Sequence, residues 1–127
     1  MMGRIARAAC ERELELARAA HRAGELDIAF RHLERAHILG QRVTGLHVRS
    51  HVAMLGVGWQ RRDTREIVGQ CVRILAAALF SRIWVPTGNT GGANVSALRP
   101  IRVPSDLQAI LDANDGCDRN DPGSTRI

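Results

Sequence analysis

The chain has 127 residues, 45% of them apolar, which supplies one hydrophobic core and excludes a second full domain. Eighteen basic residues against thirteen acidic ones give a formal charge of +5, and every basic residue is arginine. The absence of lysine excludes Schiff-base chemistry and a Walker-type phosphate loop, and the scarcity of aromatic residues removes the stacking platforms of single-strand nucleic-acid binders.

No block of like charge gathers the arginines, so they read as a codon bias spread over helix surfaces, and no nucleic-acid partner is expected. Cys10, Cys71 and Cys117 are odd in number and form no close pair, which fits a reducing compartment better than a zinc knuckle or a redox couple. Arg4, Arg7, Glu11, Arg12, Glu13, Glu15 and Arg18 interrupt the first turns of the chain, leaving no signal peptide and no membrane span. A soluble, cytoplasmic protein is expected.

Ile5, Ala9, Leu16 and Ala20 recur at helical intervals and predict a first helix running to about Arg22, ended by Gly24. Ala29, Leu33, Ala36 and Gly40 predict a second over 26–39, with Asp27 placed to cap its free amides. Val48, Val52, Leu55 and Trp59 mark a third stripe. Ile67, Cys71, Ile74 and Ala78 mark a fourth, flanked by Val68, Val72, Leu75 and Leu79 and preceded by an Asp63/Glu66 capping-box pair. Cys71 and Cys10 then read as small core residues, and Arg61, Arg62 and Arg65 as a solvated turn.

The stripes echo one another. Ala9, Leu16 and Ala20 map onto Val48, Leu55 and Trp59 at an offset of 39, and Ala29, Leu33 and Ala36 map onto Ile67, Cys71 and Ile74 at 38. Beyond Arg82 the residues Pro86, Gly88, Asn89, Gly91, Gly92 and Asn94 stop any helix. The Gly88 to Gly92 stretch could offer backbone amides to an anion with Arg82 or Arg99, although such loops more often simply turn the chain. Ser105 and Gln108 suggest a capping box for a short helix to about Asp112 carrying Leu107, Ile110 and Leu111. From Ala113 to Ile127 the polar composition predicts a disordered tail, with Cys117 as an exposed thiol.

Four of the five histidines, His32, His37, His47 and His51, fall between positions 32 and 51. His47 and His51 are one helical turn apart, the spacing that lets two imidazoles reach one ion, and Met54 continues that face. A tight hairpin around Gly40 to Gly45 would bring His37, in the last turn of helix two, beside them. Glu34 precedes His37 by three residues, half of a carboxylate-bridged site whose second half is missing. Val48 follows His47 where a zinc protease motif has its general base, so zinc hydrolysis is not expected. Histidines beside an apolar stripe also serve as structural residues, with one nitrogen bonded to backbone. The candidate ligands are therefore His37, His47 and His51, with His32, Glu34 or Met54 as a fourth or supporting group, for zinc, copper, nickel or cobalt.

The segment from Gly24 to Ala36 resembles the second half of a tetratricopeptide repeat, although the period here exceeds that family's usual length. Taken together, His32 to Gln41, His47 to Leu55, Gly58-Trp59 with Arg62-Asp63, and Gly88 to Val95 resemble an uncharacterised family of small bacterial helical proteins, over most of residues 10–111. The resemblance implies a genetic context of mobile or metal-resistance segments and assigns no activity. It departs at Ile101-Arg102-Val103, where that family more often has a Met-Pro-Ile-Pro-like run. The expected architecture is all-α: two antiparallel helical hairpins in a tetratricopeptide-like stack, then a Gly/Asn-rich loop and a short terminal helix, all within one domain over 1–112. Two hairpins make a small array, so either the C-terminal wrap caps it or the chain forms a homodimer. A non-enzymatic metal-binding protein is the first functional expectation. An interaction module taking a protein or peptide partner in its helical groove, with structural histidines, is the alternative.

Overall fold

A computed structural model describes residues 2–80, 90–93 and 100–119. Within them the chain forms five α-helices: α1 (Arg4–Arg22), α2 (Leu26–Gly40), α3 (Thr44–Arg61), α4 (Thr64–Phe80) and α5 (Ser105–Arg119). Helices α1 and α2 form one hairpin, α3 and α4 a second, α2 packs on α3, and α5 lies against α1 and α2. None of these helices is long and apolar enough to cross a membrane.

Both hairpins turn by the same device. At the end of α1 the amides of Gly24 and Glu25 bond back to His21 and Ala20, and Gly24 takes the left-handed conformation at φ 78°. This is the Schellman arrangement, which satisfies carbonyls that a helix end would otherwise leave open. At the end of α3 the amides of Arg62 and Asp63 bond to Trp59 and Gly58 in the same pattern, with Arg62 at φ 56°. Asp63 Oδ1 then accepts the Glu66 amide at 3.1 Å, forming one half of the expected capping box, while the Glu66 side chain turns inward. Asp27 does not cap α2, which has no side-chain cap; it pairs instead with Arg61, whose guanidinium also lies 5.3 Å over the Phe30 ring.

The first hairpin buries small residues. Ala6, Cys10, Leu14, Ala17 and Ala20 of α1 face Ala29, Leu33 and Ala36 of α2. The buried stripe of α1 is therefore rotated from the predicted one, and Ile5 and Leu16 are exposed. Close packing of Ala on Ala sets this phase, because the helix also carries apolar residues beside the stripe and periodicity alone does not choose between them. At Gly40 the chain must have no side chain: a Cβ there would lie 2.9 Å from Leu46 Cβ and 3.0 Å from Cys10 Sγ. Cys10 is a core residue as expected, its Sγ 3.4 Å from the Ala36 carbonyl, and burial pushes its thiol up to about 11.

The second hairpin reverses the expected polarity. Helix α3 buries Leu46, His47, Ser50, His51, Met54 and Val57, leaving Val52 exposed and Trp59 71% exposed. Helix α4 buries Glu66, Gln70 and Ala77 and exposes Val68, Val72, Leu75 and Leu79, along with Cys71. Cys71 is thus not a core residue. Hydrophobicity ranks Val and Leu above Glu and Gln for the interior, but a polar group that finds all its partners inside is tolerated there. The partners come from α3 and from residues 90–93.

Arginine forks tie the helices together. Arg49 of α3 grips Glu11 of α1 at 2.7 and 3.1 Å, and Arg35 of α2 bridges Glu13 of α1 and Asp106 of α5 at 2.8 and 2.6 Å. Helix α5 begins after Pro104, with Gln108 bonded forward to Asp112 at 2.8 Å, so the expected Ser105/Gln108 box is not formed. It runs to Arg119, seven residues past the expected end at Asp112, because Asn114 is buried and accepts the Ala6 amide at 3.4 Å. Residues 113–119 are therefore helix rather than disordered tail. Residues 120–127, the Cys117 side chain, Arg82, Arg99, Gly88 and Asn89 lie outside the described residues.

The left-handed conformation of Arg62 costs a side-chain-bearing residue about 1–2 kcal/mol that glycine avoids. Arg62→Gly is expected to raise stability by about 1 kcal/mol, seen as a higher urea midpoint at unchanged slope.

Candidate metal centre

Three histidines converge between the hairpins. His37 is in the last turn of α2, and residues 41–43 turn the chain directly into α3, with the Val43 amide bonded to the Gly40 carbonyl at 2.9 Å. The short turn folds α3 back so that His47 and His51, one helical turn apart, face His37. The ring centroids are 4.7 Å apart for His37–His47, 4.7 Å for His37–His51 and 4.9 Å for His47–His51. One ligand nitrogen from each lies within 4.8 Å of the other two, and all three residues are buried.

The hydrogen bonds assign the protons. Gln70 Nε2 has three acceptors, Glu66 Oε1 at 2.5 Å, the Gly91 carbonyl at 2.8 Å and Met54 Sδ at 3.4 Å, so the amide nitrogen points that way and its oxygen points to His51. An amide oxygen only accepts, hence His51 Nδ1 carries the proton across 2.7 Å and Nε2 keeps its lone pair. The Ser50 hydroxyl donates to the His47 carbonyl at 2.7 Å, which leaves Ser50 Oγ to accept from His37 Nδ1 at 3.3 Å and frees His37 Nε2. His47 Nε2 stands 3.1 Å from His51 Nε2. Two lone pairs at that separation repel, so either a proton or a cation must lie between them. Two nitrogens bound tetrahedrally to one ion at about 2.0–2.1 Å would themselves be about 3.3 Å apart, close to what is found. With the proton on His47 Nε2, its Nδ1 is left buried without a hydrogen-bond partner among the described residues.

The electrostatics keep these ligands unprotonated. Burial holds His47 and His51 down to about 4 and His37 well below its ordinary value; neighbouring imidazoles add repulsion at His37 and His51, and the Arg73 guanidinium adds it at all three. Arg73 is itself held below its usual value by burial, with Glu66 opposing. Neutral imidazole is the ligand form, so the ligands are available to an ion without losing a proton at neutral pH.

Residues 90–93 close over the site. Gly91, at φ 82°, presses its backbone on His37, where a Cβ would meet the imidazole at 3.0 Å. The Gly92 carbonyl accepts from Arg73 at 3.0 Å, and the Ala93 amide reaches the Glu66 carboxylate at 3.2 and 3.3 Å. The anion that this part of the loop does bind is thus the chain's own Glu66.

Of the other candidate ligands, Met54 is fully buried, its sulfur against the amide that holds His51. Glu34 is half-buried beside Gly92, where burial raises its carboxyl. His32 is turned to α1, its Nδ1 2.7 Å from Glu13. The sequence reading singles out none of Ser50, Gln70 and Arg73, takes Glu66 as a cap partner only, and takes Gly91 as part of a possible anion loop. Glu66, Gln70 and Arg73 share one face of α4 at intervals of four and three, a polar stripe opposite an apolar one. Facing a histidine cluster, that stripe was the available signal.

The chain belongs to the DUF3703 family, described as proteins of unknown function, whose family model matches residues 4–111. No curated protein and no solved structure matches it.

Two outcomes test this geometry. In metal-free protein the imidazoles take protons near 6.5 when unfolded but only near 4 at His47 and His51 when folded, so the unfolded state binds more protons between these values. Stability is therefore full above pH 6.5 and falls as the pH drops toward 4, by up to about 3 kcal/mol for each histidine, read as a declining urea midpoint. His47→Gln with His51→Gln should remove most of that slope. Separately, Gly91→Ala should lower stability more than Gly24→Ala, since both have positive φ but only Gly91 has a side chain against it. The excess, about 1–2 kcal/mol by urea denaturation, measures the contact with His37.

Proposed function

We propose that this protein is a non-enzymatic transition-metal-binding protein, serving metal homeostasis or resistance, with His37, His47 and His51 as ligands. The observation that carries this reading is the convergence of three buried, neutral imidazoles. Two of them have their Nδ1 protons engaged by Gln70 and Ser50, which leaves Nε2 for an ion. Metal-binding histidines characteristically donate their other ring N–H in this way, which fixes ring orientation and raises ligand basicity. The 3.1 Å approach of His47 Nε2 to His51 Nε2 supports it too: an ion bound by both nitrogens removes the lone-pair conflict between them. Closure by Gly91 favours holding an ion over turning a substrate, because a catalytic metal keeps an open coordination position.

The reading as an interaction module has its own support in a groove of about 240 Å³ between α1 and α3, lined by Leu14, Ala17, Leu33, Val48 and Val52, with Arg18 and His21 among its polar residues. One measurement separates the two. Elemental mass spectrometry on the untagged chain is expected to find close to one equivalent of metal, lost in a His47→Ala, His51→Ala double variant whose helicity is checked by circular dichroism. No bound metal after reconstitution with zinc, copper, nickel and cobalt overturns the metal reading and leaves the groove as the functional surface.

A further inference from the structure

Helix α4 has two unlike faces. Glu66, Gln70 and Ala77 are buried, while Val68, Val72, Leu75 and Leu79 are between 58 and 69% exposed. Among the described helices α4 packs on α3 alone, so none of them covers this second face. Its four residues follow one another at intervals of four, three and four, the a/d spacing of a seam between two helices. They extend about 17 Å along the helix axis. The other exposed residues between 66 and 79 are Cys71, Ala76 and Ala78, small side chains beside the seam that let a second helix approach closely. No charged, amide or hydroxyl side chain is exposed over that stretch.

The first hairpin shows what such a face receives. A separation of 37 relates buried Ala29 and Leu33 to buried Glu66 and Gln70, and it relates Arg31, Arg35 and Ile38 of α2 to Val68, Val72 and Leu75. On α2 this is where α5 docks: Arg35 holds Asp106, and Ile38 is buried in the core that takes in Val103 and Leu107. The second hairpin offers the equivalent position with apolar side chains in place of the arginines, and α5 is already engaged on the first. A partner there must be a helix with an equally uncharged face.

The seam itself is such a face. Its spacing reads the same in both directions, so an antiparallel second copy lays seam on seam. The order of two valines followed by two leucines then sets Val68 against Leu79 and Val72 against Leu75 of the second copy, small against large at every level, whereas a parallel copy sets valine on valine and leucine on leucine. With its small flanking residues the face exposes about 600 Å² on each chain, so a pair of them reaches the lower edge of the roughly 1,200–2,000 Å² that specific interfaces bury. We propose that this protein forms a two-fold symmetric homodimer through α4, antiparallel and seam on seam. The proposal is independent of the metal-binding reading, since Glu66 and Gln70 lie on the opposite face of the helix.

Sedimentation equilibrium on the full, untagged chain tests it, with a phosphine reductant present so that Cys71 cannot link copies by a disulfide. A reversible monomer–dimer equilibrium in the micromolar range is expected, not weakened when salt is raised from about 0.05 to 0.5 M, because no charge pair crosses the seam. Leu75→Glu places an unpaired carboxylate in the seam and is expected to weaken the dimer at least about 100-fold. Helicity by circular dichroism should stay at the parent level, since Leu75 is exposed in the single chain. Adding Val72→Arg to Leu75→Glu sets each introduced carboxylate against the introduced guanidinium of the other copy in the antiparallel register, and is expected to restore association in a salt-sensitive form; in a parallel register like charges meet and association stays lost. A folded monomer at every concentration, a dimer indifferent to Leu75→Glu, or a double variant that stays monomeric overturns the proposal. A monomer that Leu75→Glu unfolds assigns the face to the chain's own residues, and a monomer that binds neutral phospholipid vesicles until Leu75→Glu abolishes binding assigns it to a membrane surface; both outcomes overturn it as well.

Discussion

The side-chain amide of Gln70 is the point on which the second hairpin and the loop above it depend. Its oxygen takes the His51 proton, and its nitrogen serves Glu66, the Gly91 carbonyl and the Met54 sulfur. A buried amide that lost these partners would cost more than the bonds return individually, since each unpaired group keeps its full desolvation penalty. The network therefore holds or fails as a unit. One residue of α4 thereby sets the tautomer of a histidine on α3 and the position of a glycine some twenty residues further along the chain.

The two hairpins are related in a way that their apolar stripes conceal. At an offset of 37, the buried positions Cys10, Leu14, Ala17 and Ala20 of α1 fall on His47, His51, Met54 and Val57 of α3. At the same offset, Ala29, Leu33 and Ala36 of α2 fall on Glu66, Gln70 and Arg73 of α4. The first hairpin fills these interior positions with small and apolar side chains. The second fills most of them with groups that ionise, donate or accept. The core layer of one hairpin is, in its partner, the candidate metal centre, and the polar residues are tolerated because they satisfy one another across the same interface.

This also explains what was legible in the sequence. The helices, the glycine-ended first turn and the meeting of His37, His47 and His51 follow from local rules that act within a few residues: spacing, turn chemistry and the three-residue connection of α2 to α3. The inward face of α4 does not follow from such rules. Val68, Val72, Leu75 and Leu79 form a better apolar stripe than anything α4 actually buries, and only the demand of the histidines for partners turns Glu66 and Gln70 inward. For the same reason the apolar stripes repeat at offsets of 39 and 38 while the buried positions repeat at 37, since the stripes of the second hairpin face outward. The extent of α5 was illegible for a different cause: Asn114 reads as a tail residue until the Ala6 amide, at the other end of the chain, is seen to need an acceptor.

That last contact bears on the order in which the molecule can assemble. Each hairpin closes through a connection of two or three residues, so its chain-closure entropy is small and its contacts are local. Asn114 and Ala6 are 108 positions apart, and Val103 and Leu107 complete a core whose other members come from the first hairpin and, as Leu46, Met54 and Val57, from α3. A chain growing from its N-terminus thus makes α1 first and finishes its packing last. Until α5 emerges, the surface of α1 that it will cover stays open to solvent, and of the five described helices the first to be made is the one that waits longest for its final neighbour.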